Sequence, residues 1–151
     1  MQPTKLKTFL WFGGQLEEAL NFYRELFGDE NLVIRGQNRM GADGPLFTAD
    51  FSIFGHEFIG MNWAGGPEFN DSISLSLNVD GQDEVDRLWD AFTAKGKAGQ
   101  CGWLKDEWGL SWQVSPIQMR EHLENPDRAK AEYANNALRK MTKIVIRDLY
   151  E

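Results

Sequence analysis

A chain of 151 residues with 42% hydrophobic content has the size and composition of one globular domain, or of two small fused modules sharing a core. Its net charge of −7 excludes a phosphate-backbone binder, which needs a basic stripe, and no run of 18 apolar residues offers a membrane span. One cysteine excludes an intramolecular disulfide and suits a reducing compartment; with no apolar leader segment in MQPTKLKTF, the expected location is the cytoplasm.

The first strand is read at Leu6–Phe12 and ends at Gly13-Gly14. A helix follows over about Gln15–Phe27, with Leu16, Ala19, Leu20, Tyr23, Leu26 and Phe27 on one stripe and Gly28 as its stop. A strand at Leu32–Gln37 precedes the loop GADGP. In Phe47–Phe54 apolar Phe47, Ala49, Phe51 and Ile53 alternate with Thr48, Asp50 and Ser52. Gly55-His56 then reads as a type II′ turn into a returning strand, Glu57–Trp63.

The plan repeats after Gly65-Gly66-Pro67. Ile73–Val79 is a strand whose second face is Ser72, Ser74, Ser76 and Asn78. Asp80 is the expected cap of a helix over about Gln82–Lys95, with Val85, Leu88, Trp89 and Phe92 inward. Trp103–Asp106 and Leu110–Pro116 close this half around Glu107-Trp108-Gly109. A shift of about 66 residues lays the two helical stripes on each other, a weak internal repeat that the recurring strand–helix–strands order strengthens. Beyond Pro116 the pattern is helical, with Asn125 as N-cap and Pro126 in the first turn, then a docking segment Ile144–Tyr150. The charge is uneven: residues 1–116 carry a balance of −8 and residues 117–151 a balance of +1. The locally basic LRKMTKIVIR suits a solvated helix face or contact with an acidic partner.

Few residues offer transition-metal or nucleophilic chemistry: His56, His122 and Cys101. The histidines fall in a turn and a helix and read as surface residues, and Cys101 as an inert thiol. The glycine runs lack the spacing of a phosphate loop, a dinucleotide fingerprint or a binding loop for S-adenosylmethionine. The small polar faces remain. Ser111, Gln113 and Ser115 share one, as do Ser74, Ser76 and Asn78, opposite apolar faces that belong under helices. Two such faces fit either a wetted concave pocket or an ordinary solvent side.

The runs FLWFGGQLEEALNFYRELFG (9–28), GPEFNDSISLSLNVDGQDEVDRLWDAF (66–92) and CGWLKDEWGLSWQVSP (101–116) resemble the vicinal oxygen chelate (glyoxalase/bleomycin resistance/dioxygenase) superfamily, in particular its PhnB-like branch. The tail pattern NPDRAKAEYANNALRKMTKI (125–144) shares the likeness. The resemblance implies an α+β fold of two βαβββ modules, about 1–67 and 68–116, whose mixed sheets curl around a shared cavity. Residues 117–151 then form a helical extension on the domain or on a partner, and the assembly is a homodimer. It also implies that the superfamily's divalent-metal positions, filled elsewhere by His and Glu, fall here on Thr8, Asn62, Ser74 and Gln113.

Neutral hydroxyls and amides hold a divalent ion poorly. The expectation is therefore a small-molecule-binding protein without metal or cofactor. Its pocket is built by Thr8, Asn62, Ser74 and Gln113 and walled by Trp11, Trp63, Trp103 and Trp108. One alternative is a lyase, isomerase or oxygenase using Asp106, Glu57 or Asp50 as an acid–base group. Another is an interaction module using the basic tail. The family's labels include a demethylubiquinone methyltransferase name, for which the residues show no cofactor signature.

Overall fold

The computed structural model of the protein describes residues 4–151; residues 1–3, part of the MQPTKLKTF stretch, lie outside it. The chain divides into two compact units, one ending at Glu68 and one beginning at Phe69.

The first unit runs β1 (Thr8–Phe12), α1 (Leu16–Phe27), β2 (Leu32–Arg39), β3 (Leu46–Ile53) and β4 (His56–Asn62). Its sheet has the order β1-β4-β3-β2, with β1 parallel to β4 and the other pairs antiparallel. The stripe on α1 is buried as its periodicity requires, against Leu10, Phe12, Ala49, Phe51 and Phe58 of the sheet. Each leucine or phenylalanine among them contributes about 1.5–3 kcal/mol on leaving water. Gly60 lets the helix approach: a Cβ there would lie 2.6 Å from Leu16 Cδ1. The β3–β4 turn is Phe54-Gly55 rather than Gly55-His56, because Ile53 pairs with His56. Both turn residues have positive φ, 48° and 80°, which makes it type I′ rather than II′. Phe54 holds this conformation with its ring edge-on to Phe27, centroids 5.1 Å apart.

The second unit repeats the order with β5 (Ser74–Val79), α2 (Gln82–Thr93), β6 (Lys97–Ala98), β7 (Trp103–Lys105) and β8 (Ser111–Pro116). Its sheet order is β5-β8-β7-β6, with β5 parallel to β8. Val85, Leu88, Trp89 and Phe92 of α2 are buried with Leu104, Trp112 and Val114, and the Phe92 and Trp112 rings lie 5.1 Å apart. Two βαβββ modules are thus present. Asp80 does not cap α2. Gly81 holds the N-cap position, the Asp80 carboxylate accepts from Gln118 Nε2, and Glu84 accepts from the Asp80 N–H.

The extension adds α3 (Ile117–Leu123), α4 (Arg128–Leu138) and a closing 3-10 turn, Ile146–Leu149. Asp127, not Asn125, caps α4 by accepting from Ala129 N and Lys130 N; Asn125 accepts from Asp127 N one step earlier. Ala134, Ile144 and Leu149 form a small core of their own, with Met119, Leu123, Leu138 and Met141 packed on it. Gln82 ties the end of the chain to α2, donating to Ile144 O (2.9 Å) and accepting from Ile146 N (2.8 Å).

Candidate functional site

Each sheet has one face under its helix and one open face, and strand register assigns every residue to one or the other. In the second unit Ser74 pairs with Ser111, Ser76 with Gln113 and Asn78 with Ser115. Trp103 pairs with Gln113 and Lys105 with Ser111, while Trp112 and Leu104 lie on the helix side. The open face therefore gathers Ser74, Ser76, Asn78, Trp103, Gln113 and Ser115. Gln113 Nε2 donates to Ser74 Oγ at 2.9 Å, so two of the four expected site residues meet. Toward one end the face runs under α3 and bounds a groove of about 510 Å³ with Met119, Arg120 and Leu123. Toward the other, Ser111 is fully buried and donates to Asp71 Oδ1 at 2.6 Å.

Thr8 and Asn62 are placed differently. Thr8 pairs with Phe58 and Phe12 with Asn62, so both lie on the face that packs under α1. Asn62 Oδ1 accepts from Leu16 N, an unpaired donor of the first helical turn, and its Nδ2 donates to Leu46 O. Thr8 Oγ1 lies 3.0 Å from His56 Nε2. The open face of this sheet carries their sequence neighbours instead. Lys7 binds Asp50 at 2.8 Å, Arg35 binds Glu57 at 2.7 Å, and Phe9, Trp11 and Met61 lie alongside. Lys7 and Arg35 carried no motif in the sequence; the β-bulge at Arg35 that turns its side chain to this face is a tertiary feature.

Of the four tryptophans, Trp11 donates to Trp63 O at 2.8 Å and has Gly66 against its ring, where a Cβ would come within 2.4 Å. Trp63 is 50% exposed, edge-on to Phe47. Trp103 is on the open face of the second sheet, and Trp108 sits in the β7–β8 turn with its N–H on Asp106.

The three candidate acid–base carboxylates also separate. Asp106 is 3% exposed and accepts from Trp108 N, Leu110 N and Trp112 Nε1, so it builds the turn and is corrected from a candidate acid–base group to a structural one. Asp50 is paired with Lys7. Glu57 is half-satisfied: Oε1 accepts from Arg35, while Oε2 is buried and has no partner among the described residues. Cys101 donates to Leu138 O and His122 stacks on Tyr150.

The divalent ion implied by the fold does not fit this donor set. Ser74 and Gln113 are neutral and bonded to each other, Thr8 meets the His56 ring, Asn62 holds the Leu16 N–H and Leu46 O, and among the described residues no three His, Cys, Asp or Glu side chains converge.

A family profile described as 3-demethylubiquinone-9 3-methyltransferase matches residues 4–115. No curated protein matches the chain. Among solved structures, the chain is similar to a Bacillus cereus PhnB protein at 27% identity and TM-score 0.67, over 76% of this chain and 100% of that one. A Pseudomonas aeruginosa protein shares the fold at 23% identity and TM-score 0.59, covering 76% and 98%. The fosfomycin resistance protein FosX of Listeria monocytogenes, complexed with Mn(II) and sulfate, shares it at 15% identity and TM-score 0.52, covering 82% and 98%. With most of its length matched by the profile, the chain belongs to the 3-demethylubiquinone-9 3-methyltransferase family, the PhnB-like branch of the vicinal oxygen chelate superfamily.

Proposed function

We propose that this protein binds a small polar molecule without a metal ion, on the open face of its second sheet. The observation that carries the proposal is the Gln113–Ser74 hydrogen bond on a face of hydroxyls and amides. These groups offer both donors and acceptors to a polar ligand, but no anionic ligand for a cation. The proposal includes a cytoplasmic homodimer, for which Phe9 (54% exposed) and Val33 (39%) on the open face of the first sheet supply apolar area for a second copy.

Metal analysis after incubation with Mn(II) and Zn(II), beside a thermal-shift screen of metabolites, tests this reading. A ligand present at about 100 times its dissociation constant raises stability by about 2.7 kcal/mol. That gain should vanish in Gln113→Ala, and metals should give none. A stoichiometric ion lost on Gln113→Ala would overturn it. No methyl-transfer step is assigned from the family's description: Gly66 packs on Trp11, and Gly13-Gly14 forms the bend between β1 and α1.

A second reading, acid–base catalysis by Glu57, is favoured by its buried and unpartnered Oε2. A buried acceptor left without a donor costs about 1–3 kcal/mol, which a ligand O–H or N–H would recover. Under this reading Glu57→Gln abolishes a substrate's conversion while preserving its binding; retained turnover in that variant would refute it.

A further inference from the structure

The edge of the second sheet carries a charge pattern that the proposed binding face does not yet use. Lys97 on β6 pairs directly with Lys105 on β7, and Lys105 pairs with Ser111 on β8, so both lysines stand on the open face beside Trp103. Like charges directly opposite on antiparallel strands repel. Among the described residues that line the groove, the one carboxylate is Asp71, whose Oδ1 is 3.7 Å from Lys105 Nζ and already accepts the Ser111 hydroxyl. Lys97 forms no ion pair among the described residues. One net positive charge is therefore left in a groove of about 550 Å³ that Trp103 also lines. Asp71 feels both lysines: its carboxyl is held below the ordinary range first by the Ser111 hydrogen bond, then by Lys105 and Lys97.

We propose that this groove takes a small organic anion with a flat apolar body, an aromatic or unsaturated carboxylate. Its carboxylate lies between Lys97 and Lys105 and its body against Trp103. The inference rests on the reading of the open face as the ligand surface and adds the ligand's charge and shape. Two ammonium groups around one carboxylate relieve the cross-strand repulsion, and a planar body matches an indole face. Asp71 is the internal competitor for Lys105, so removing its charge should tighten binding.

Benzoate is a suitable probe, with benzamide as its neutral isostere, followed by the indole N–H resonance of Trp103. Benzoate is expected to bind at least tenfold more tightly than benzamide. The double variant Lys97→Met/Lys105→Met should abolish that preference while keeping the parent's circular-dichroism spectrum and cooperative melt, and Asp71→Asn should strengthen benzoate binding several-fold. Weakening of both probes by Gln113→Ala would support the whole assignment. Equal affinity for both probes with no effect of the lysine variants would overturn the anion site; if Gln113→Ala still weakened both, the binding face itself would stand. Lysine-dependent benzoate binding that ignores Gln113→Ala would uphold the anion site and overturn the face. Absence of any saturable benzoate shift would overturn the inference.

Discussion

Asp106 separates a structural carboxylate from a catalytic one, and its replacement has a magnitude that the structure fixes. Its Oδ1 accepts from Trp108 N and Leu110 N, both at 3.0 Å, and its Oδ2 from Trp112 Nε1 at 2.9 Å. The backbone closes the same turn, with Asp106 N donating to Leu110 O and Gly109 N to Asp106 O. In Asp106→Ala the Leu110 and Trp112 donors lose their acceptor in a buried setting, at about 1–3 kcal/mol each, and the half-buried Trp108 N–H adds about 0.5–1.5 kcal/mol. The expected loss is about 2.5–7.5 kcal/mol, or about 5–30 °C in Tm for a chain of this size. Asp106→Asn keeps one carbonyl oxygen for the two backbone donors but sets an NH₂ against the Trp112 N–H, so about 2–3 kcal/mol is lost. Urea unfolding followed by tryptophan fluorescence measures both. A change within 1 kcal/mol of the parent in Asp106→Ala would refute the structural assignment and return Asp106 to the acid–base candidates.

Three further outcomes are expected. Asn62→Ala should cost about 1–2 kcal/mol by removing the acceptor at the start of α1, yet leave ligand affinity at Gln113 unchanged; a tenfold loss of affinity would put Asn62 in the site after all. Gln82→Leu cuts both bonds to the Ile144–Ile146 segment and should cost about 2–3 kcal/mol, with faster tryptic cleavage at Lys143; an unchanged cleavage rate would show that the Ile144–Leu149 core holds the tail alone. Stability should be flat from pH 7 to 5 and fall below about pH 4. Asp71, Asp86 and Glu17 are held low, chiefly by hydrogen bonds from Ser111, Gln82 and Arg39. Carboxyl groups depressed in the folded state bind protons first in the unfolded chain, so their stabilisation is complete above the unfolded pKa and is lost as pH falls through the folded one. Equal urea midpoints at pH 7 and pH 3 would contradict this.

Periodicity made the two βαβββ units legible, because α1 and α2 each bury one clean stripe and β8 alternates Trp112 and Val114 with Gln113. Capping was less legible. Asp80 has a good capping side chain, but Gln118, distant in sequence, holds its carboxylate. Asn125 and Asp127 are both acceptable caps, and only the geometry of the chain leaving α3 selects the second. The turn at Phe54-Gly55 was displaced by one residue because a bulky residue at positive φ is disfavoured by local chemistry and is held here by the Phe27 contact. Strand β6 has two residues, too few for any alternation to be visible.

The candidate site divides along the same physical line. Gln113 and Ser74 could be placed from sequence because β8 and β5 each show an unbroken alternation, which fixes the face of every residue. Thr8 came from the family resemblance by position, and positional equivalence does not by itself fix which face of a strand a residue takes. Register settles the matter: Thr8 pairs with Phe58, whose side chain is buried under α1, so the open face belongs to Lys7 and Phe9. Lys7 meets Asp50 there, and Glu57 lies opposite Ser52 with one oxygen unpartnered. A one-residue difference in parity thus exchanges a hydroxyl and an amide for charged groups on the first sheet, while the second keeps its neutral Ser74–Gln113 pair. The two open faces carry different chemistry, so loss of binding in Gln113→Ala and loss of turnover in Glu57→Gln are separate observations.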